Sequence, residues 1–272
     1  MTYKPPAGVG RTTREPLQRP WAMFRADLVR SGRVWARAPA LVLLTAGLWL
    51  AYYGVRETVT SGGARGVVGL LSLPVGLFLA GFSGTQRIWY LRIYRRRSLR
   101  AGEILPLTYA FFGRMVVLGL VTFTPFIVAF IVAGTIIGVR GASGGASPTH
   151  LSALLVLAVA ACALVVDVAL TFVLPALTFS TTSVRDALGR GLRMLRETWP
   201  ASAWYALTPG LTLPALGFAL PRSALGHWGK VLVGVSGALL ALWFKGAVVA
   251  FYLRNHPEVG GDGAALRTRS AA

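Results

Sequence analysis

Six long apolar stretches divide this chain of 272 residues and restrict it to one structural class. Each stretch is continuous, whereas the strands of a membrane β-barrel alternate between apolar and polar residues. A helix that crosses a bilayer needs about 20 mainly apolar residues. The stretches occupy residues 39–56, 66–90, 115–139, 151–179, 203–221 and 230–253. The sequence therefore predicts an all-α integral membrane protein with a bundle of six transmembrane helices.

The charge content agrees with this class. Charged residues make up 14% of the chain and apolar residues 54%, whereas a soluble domain has about 25% charged residues. The formal net charge of +19 is compatible with nucleic-acid binding. Most basic residues, however, lie beside the apolar stretches, where lysine and arginine meet anionic headgroups. We expect the partner of these charges to be the lipid bilayer, and we expect no nucleic acid.

The basic residues are concentrated in alternate gaps between the stretches. Twenty-two lie in the N-terminal segment, the second gap, the fourth gap and the tail, and five lie in the remaining gaps. Arg87 is counted here with the second gap. Since cytoplasmic loops carry the excess of lysine and arginine, we expect a multi-pass protein of the cell membrane with both termini in the cytoplasm.

This orientation divides the chain into three parts. Residues 1–38 form a basic cytoplasmic segment, residues 39–253 the six-span domain, and residues 254–272 a disordered cytoplasmic tail. In the first part, the pattern of residues 20–37 predicts an amphipathic helix in the membrane interface.

The fourth gap contains the clearest amphipathic pattern, at residues 182–199. Its apolar residues recur at helical spacing; they are Val184, Leu188, Leu192, Leu195 and Trp199. The basic residues Arg185, Arg193 and Arg196 lie off this stripe. Ser183 is placed to cap the helix and Pro200 to end it. We predict a cytoplasmic interfacial helix, which serves either as a connector between spans or as a docking surface for a cytoplasmic protein.

The second gap carries a run of three arginines, Arg95, Arg96 and Arg97, close to two tyrosines. A basic run with aromatic neighbours is compatible with nucleic-acid binding. Beside a membrane span we interpret it as a contact with lipid headgroups.

Two charged residues lie well inside predicted spans. Asp167 and Lys245 are about 24 and 21 Å from the outer ends of their spans at about 1.5 Å per residue. Charges inside a membrane are rare and point to function or to pairing. We predict an intramembrane pair between them; the alternative is a lysine whose ammonium reaches the inner surface.

Motifs of known catalytic chemistry are missing from the sequence. It has neither a phosphate-binding G-x-x-x-x-G-K-[ST] nor a G-x-S-x-G nucleophile motif. Its three histidines and single cysteine are isolated, so no metal-ligand spacing occurs. We expect a non-enzymatic protein without cofactors.

The fourth gap also resembles a known family. Residues 174–177 read LPAL, residues 183–199 read SVRDALGRGLRMLRETW, and residues 102–107 read GEILPL. In organisation, residues 66–220 are similar to the membrane domain of some glycerophosphodiester phosphodiesterases and to its standalone six-span relatives of poorly known function. The resemblance implies a span that ends near a proline and leads into an interfacial helix. It carries over no catalytic residue, and we expect no phosphodiesterase activity.

Together these features predict an accessory or regulatory membrane component. The alternative is the permease subunit of a type-two ABC exporter, which would work with a separate cytoplasmic ATPase. An N-terminal elbow helix, a cytoplasmic helix in the second gap and six spans would suit that alternative.

Overall fold

The computed structural model describes residues 20–61, 65–142, 148–219 and 226–256, and every regular element in these ranges is an α-helix. The helices, in chain order, are α1 (Pro20–Arg37), α2 (Pro39–Ser61), α3 (Arg65–Tyr94), α4 (Ala101–Ala142), α5 (Pro148–Phe179), α6 (Val184–Glu197), α7 (Ala201–Ala219) and α8 (His227–Asn255). The all-helical prediction is confirmed for this part of the chain. The predictions for residues 1–19 and 257–272 lie outside the described residues.

Four helices are long and apolar enough to cross a membrane, when the described residues are considered. They are α2 over Pro39–Glu57, α4 over Ala101–Ile136, α5 over Leu157–Phe179 and α8 over Trp228–Asn255. α3 and α7 coincide with the two remaining predicted spans and are not among these four in the part of the chain that was searched. α4 differs most from its prediction, because the helix begins at Ala101 rather than at residue 115.

The ends of the helices follow from local sequence. Pro39 occupies the first position of α2, where its missing N–H is not needed and its fixed φ favours the helix. Ser183 caps α6, because its hydroxyl accepts a hydrogen bond from the backbone N–H of Asp186 at 3.3 Å. That capping role was predicted from the sequence.

Much of the buried core comes from α1, α3, α5, α7 and α8. Large side chains from these five helices are fully buried, namely Phe24, Tyr90, Phe172, Tyr205, Phe251 and Tyr252. The second half of α4 is different, since many of its large apolar residues are exposed, among them Phe123, Phe130 and Ile131. An apolar surface of this kind is what a helix facing lipid presents.

Glycines allow the closest helix crossings. A Cβ at Gly246 of α8 would overlap Ser31 of α1 and the ring of Tyr90 of α3. A Cβ at Gly191 of α6 would lie 2.5 Å from the backbone nitrogen of Val173 of α5. These positions therefore let three helices meet at α8 and let α6 lie directly on the backbone of α5.

Candidate functional site

A row of polar side chains on α3 faces the inside of the bundle. Ser83, Gln86 and Arg87 share one side of the helix, because residues three and four apart are neighbours on a helix surface. Gln86 is 3% exposed and Arg87 is 6% exposed. The Gln86 Nε2 donates to Oγ1 of Thr45 on α2 at 2.9 Å. The row thus places a guanidinium and its polar neighbours within an otherwise apolar core.

Lys245 of α8 meets this row. Its ammonium donates to Ser83 Oγ at 2.9 Å and to Gln86 Oε1 at 2.5 Å. An Arg87 guanidinium nitrogen donates to the same Ser83 hydroxyl at 2.8 Å and to the Ser83 carbonyl at 2.9 Å. One hydroxyl oxygen therefore accepts from two cationic groups, which are held side by side.

The proximity of these two charges is unfavourable. Since both nitrogens bond to the same Ser83 oxygen, at 2.8 and 2.9 Å, they are less than about 6 Å apart. Two like charges at that separation repel by roughly 3 kcal/mol at an effective dielectric of about 20. Arg87 Nε is buried and has no hydrogen-bond partner among the described residues. Buried donors are normally satisfied, so this nitrogen is free to donate to a partner from outside the described part of the chain.

Arg87 and Lys245 both line a cavity of about 180 Å³ between α3, α5, α7 and α8. Asp167 and Tyr205 also contribute polar atoms to its wall, and most of the other lining residues are apolar. A cavity needs roughly 10–15 Å³ to hold one water molecule, so this one has room for a small polar group. We call it the basic cavity.

The predicted pair of Asp167 and Lys245 takes a different form in the structure. Both residues line the basic cavity. Within the described residues, however, the ammonium of Lys245 is bonded to Ser83 and Gln86 and makes no ion pair with Asp167. The reason is that the polar row on α3 meets α8 directly. Asp167 lies instead near α7, where a Cβ at Gly210 would be 4.0 Å from its Oδ2.

Sequence reasoning missed Arg87, which it counted with the basic residues of the second gap. In the structure Arg87 lies inside α3 and is buried. A signal was present, since Arg87 falls within the predicted span at residues 66–90 and shares a helix face with Ser83 and Gln86.

A second missed residue, Asp27 of α1, connects the cavity to the first helix. Asp27 is 2% exposed. Its Oδ2 accepts from the Tyr205 hydroxyl at 2.6 Å, and its Oδ1 accepts from Arg254 of α8 at 2.5 Å. Burial raises the pKa of Asp27, while the Tyr205 hydrogen bond and the Arg254 charge oppose that rise. Since Tyr205 also lines the basic cavity, one side chain contacts both the cavity and α1.

The helix predicted at residues 182–199 is α6, but its most buried edge is not the predicted stripe. Ala187, Gly191 and Met194 are buried, whereas Leu192 is 45% exposed and Trp199 is 55% exposed. At about 3.6 residues per turn, the two edges are about 90° apart. The close approach to α5 explains this, because small side chains let the helix pack tightly. Val184, Leu188 and Leu195 are partly buried beside the core, and Arg185, Arg193 and Arg196 are exposed.

The predicted headgroup-contacting run follows the end of α3. Arg95 is partly buried, and Arg96 and Arg97 are exposed. Arg96 lines a groove of about 820 Å³ that runs along α1 and is also lined by Arg25, Arg30, Arg33 and Arg37. The run is thus part of a broader basic face that α1 and the end of α3 form together.

No group of three potential metal-ligating side chains converges within the ranges that the structure describes. A scan against protein-family models finds no matching family, and searches of the curated proteins and of the solved structures find no match. Function must therefore be inferred from the geometry of this chain.

Proposed function

We propose that this protein is a non-enzymatic accessory or regulatory component of the cell membrane, with six spans and both termini in the cytoplasm. Four helices support spanning by length and composition. α3, with 30 residues, and α7, with 19, would measure about 45 and 28 Å at about 1.5 Å per residue. These lengths suit a hydrocarbon layer of about 30 Å. The alternation of basic gaps supports the orientation.

One observation carries the regulatory role, namely the double contact of Tyr205. This side chain lines the basic cavity and donates a hydrogen bond to Asp27 of α1. A change inside the cavity therefore reaches a helix that we place at the cytoplasmic surface. Coupling between the cavity and the cytoplasmic surface requires an element that has two arrangements, each favoured by a different state of the two sites. Our candidate for this element is α1, which Asp27 attaches to Tyr205.

α6 is the proposed docking surface for a cytoplasmic partner. The exposed Leu192 and the arginines of the helix lie close in sequence to Trp199, which follows the end of α6 and is also exposed. Exposed aromatic and basic residues are enriched at interfaces with proteins and at membrane surfaces. The same residues rest in the headgroup region of an anionic bilayer when no protein covers them.

Co-purification from mild detergent tests this function. We expect a protein partner that is recovered with the wild-type chain and lost with Leu192→Glu. The matched control is Arg190→Gln, which changes the charge by the same amount at an exposed position about 160° around the helix from Leu192. Equal recovery with all three chains, or recovery of no protein, would contradict the proposed role.

The exporter-subunit alternative depends on α1, which precedes α2 as an elbow helix would. The expected separate helix of the second gap is replaced by the continuous start of α4 at Ala101. Stoichiometric recovery of an ATPase in the same experiment would favour the alternative over the accessory role.

The relation to the phosphodiesterase membrane domains remains a proposal. Its support is the order of elements around Ser183: α5 ends at Phe179, a capped helix follows, and α7 begins directly after Pro200.

A further inference from the structure

We propose that the basic cavity binds a group with a single negative charge, a phosphodiester or a carboxylate, held by Arg87 and Lys245. This inference concerns the ligand of the cavity. It does not depend on the accessory role, because binding is measured on the purified protein alone.

The donors in the cavity fit an oxyanion. An ammonium has three donors, and Lys245 uses two of them on Ser83 and Gln86. Arg87 Nε is a further buried donor without a partner in the described residues. A phosphodiester or carboxylate presents two anionic oxygens, so one oxygen can accept from each cation. Hydrogen bonds between ionised groups are roughly twice as strong as neutral ones.

The charges in the cavity also favour an anion. The partners that the structure gives to Arg87 and Lys245 are neutral: a hydroxyl, a carbonyl and an amide. Asp167 lines the same cavity. When Arg87, Lys245 and Asp167 are all ionised, the cavity has two positive charges and one negative charge, and therefore a net charge of +1. A ligand with one negative charge would neutralise that net charge and would relieve the repulsion between the two cations.

The rest of the wall indicates what the anionic group is attached to. Leu170, Leu174, Leu213 and Val248 line the cavity, so an apolar chain can follow the charged group into it. A volume of about 180 Å³ admits the head of such a ligand rather than the whole of a lipid. Two sources share this chemistry, namely the headgroup of an anionic phospholipid and a small soluble anion.

Thermal unfolding of the delipidated protein in neutral detergent is the test. We expect phosphatidylglycerol to raise the midpoint of unfolding and phosphatidylcholine to have no effect. Dimethyl phosphate and acetate, added separately, identify the source: a rise with them means a small anion, and a rise with phosphatidylglycerol alone means a lipid headgroup. Either result supports an anion site.

Variants show whether the effect comes from the cavity. We expect Arg87→Gln and Lys245→Met each to weaken binding at least tenfold. Arg190→Gln removes one positive charge from an exposed position on α6, and we expect it to bind as the wild type does. Ala241→Phe keeps both cations and fills the cavity that Ala241 lines, so it should also abolish binding. This variant serves as the test if the cation variants do not fold.

Three results would overturn the proposal. The first is a midpoint that no anion changes, which would mean that water alone fills the cavity. The second is an equal response to phosphatidylcholine and phosphatidylglycerol. The third is a loss of binding in Arg190→Gln as large as that in Arg87→Gln, which would place the anion on the surface of the protein.

Discussion

At the scale of single residues, Asp27 is one of the side chains that hold α1 on the bundle. Asp27→Ala removes the acceptor of both the Tyr205 hydroxyl and Arg254. Leaving a buried donor unsatisfied costs about 1–3 kcal/mol, so we expect a loss of that size in the free energy of unfolding. Asp27→Asn keeps the shape and one acceptor oxygen and should lose less. Chemical denaturation in detergent measures both variants; equal stability of Asp27→Ala and wild type would contradict the anchor.

The pH dependence of this anchor has a definite sign. Burial raises the pKa of Asp27 above its ordinary value of 3.8. The carboxyl group therefore contributes most to stability below about pH 3.8, and the contribution declines as the pH rises through the raised pKa. The Asn variant has no such titration. We expect the stability of the wild type relative to Asp27→Asn to increase as the pH falls from 7 towards 4, and a difference that shrinks over this range would be inconsistent with a raised pKa.

Ser83 is the second residue whose role can be tested, through its coupling to Lys245. Its hydroxyl accepts from both Arg87 and Lys245, so Ser83→Ala leaves two cations short of a partner. We expect a double-mutant cycle of Ser83→Ala with Lys245→Met to give a coupling energy of about 1 kcal/mol or more, since the residues are in direct contact. The matched cycle of Asp167→Asn with Lys245→Met should give less. A larger coupling energy for Asp167 with Lys245 than for Ser83 with Lys245 would contradict this assignment and would support a direct Asp167–Lys245 pair.

At the scale of elements, two glycines of α6 allow the effect of packing on stability to be measured apart from the effect of helix propensity. A Cβ at Gly191 would meet the backbone of Val173, whereas a Cβ at Gly189 has open space within 4 Å. We expect Gly191→Ala to destabilise the protein by about 1–3 kcal/mol through overpacking. Gly189→Ala should be neutral or stabilising by up to about 1 kcal/mol, because alanine favours a helix over glycine. Thermal melts of the two variants provide the comparison, and the same change in both would mean that α6 does not lie on α5.

At the scale of the whole molecule, topology is the decisive measurement. The basic bias predicts that residues 92–114, residues 182–200 and both termini face the cytoplasm. Reporter fusions after Arg97 and Ala272 should then show cytoplasmic activity, and a fusion after Arg140 should show activity on the opposite side. Activity on that opposite side at Ala272 would contradict the arrangement of six spans.

The sequence by itself determined the helical class and the approximate extent of the helices other than α4. Apolar run length and helical periodicity are local properties, and a helix satisfies its backbone hydrogen bonds within its own segment. For that reason the bounds of α1 and the cap at Ser183 could be predicted before any packing was known. The long start of α4 was missed, because Glu103, Pro106 and Arg114 interrupt the apolar run there and the predicted span was therefore begun at residue 115.

Only the tertiary structure decided which polar residues meet. Arg87, Ser83 and Gln86 lie on α3, and their contact with Lys245 depends on how α3 crosses α8. The crossing in turn depends on Gly246, whose missing side chain leaves room for Ser31 and Tyr90. Asp27 shows the same dependence, since its partner Tyr205 is far away in sequence and comes close only through packing. Asp167 and Lys245 lie at similar depths in their helices, and both line one cavity. The hydrogen-bond partners of Lys245 depend instead on how each helix is rotated about its own axis. That rotation is a property of the packed bundle and cannot be read from the sequence of one helix.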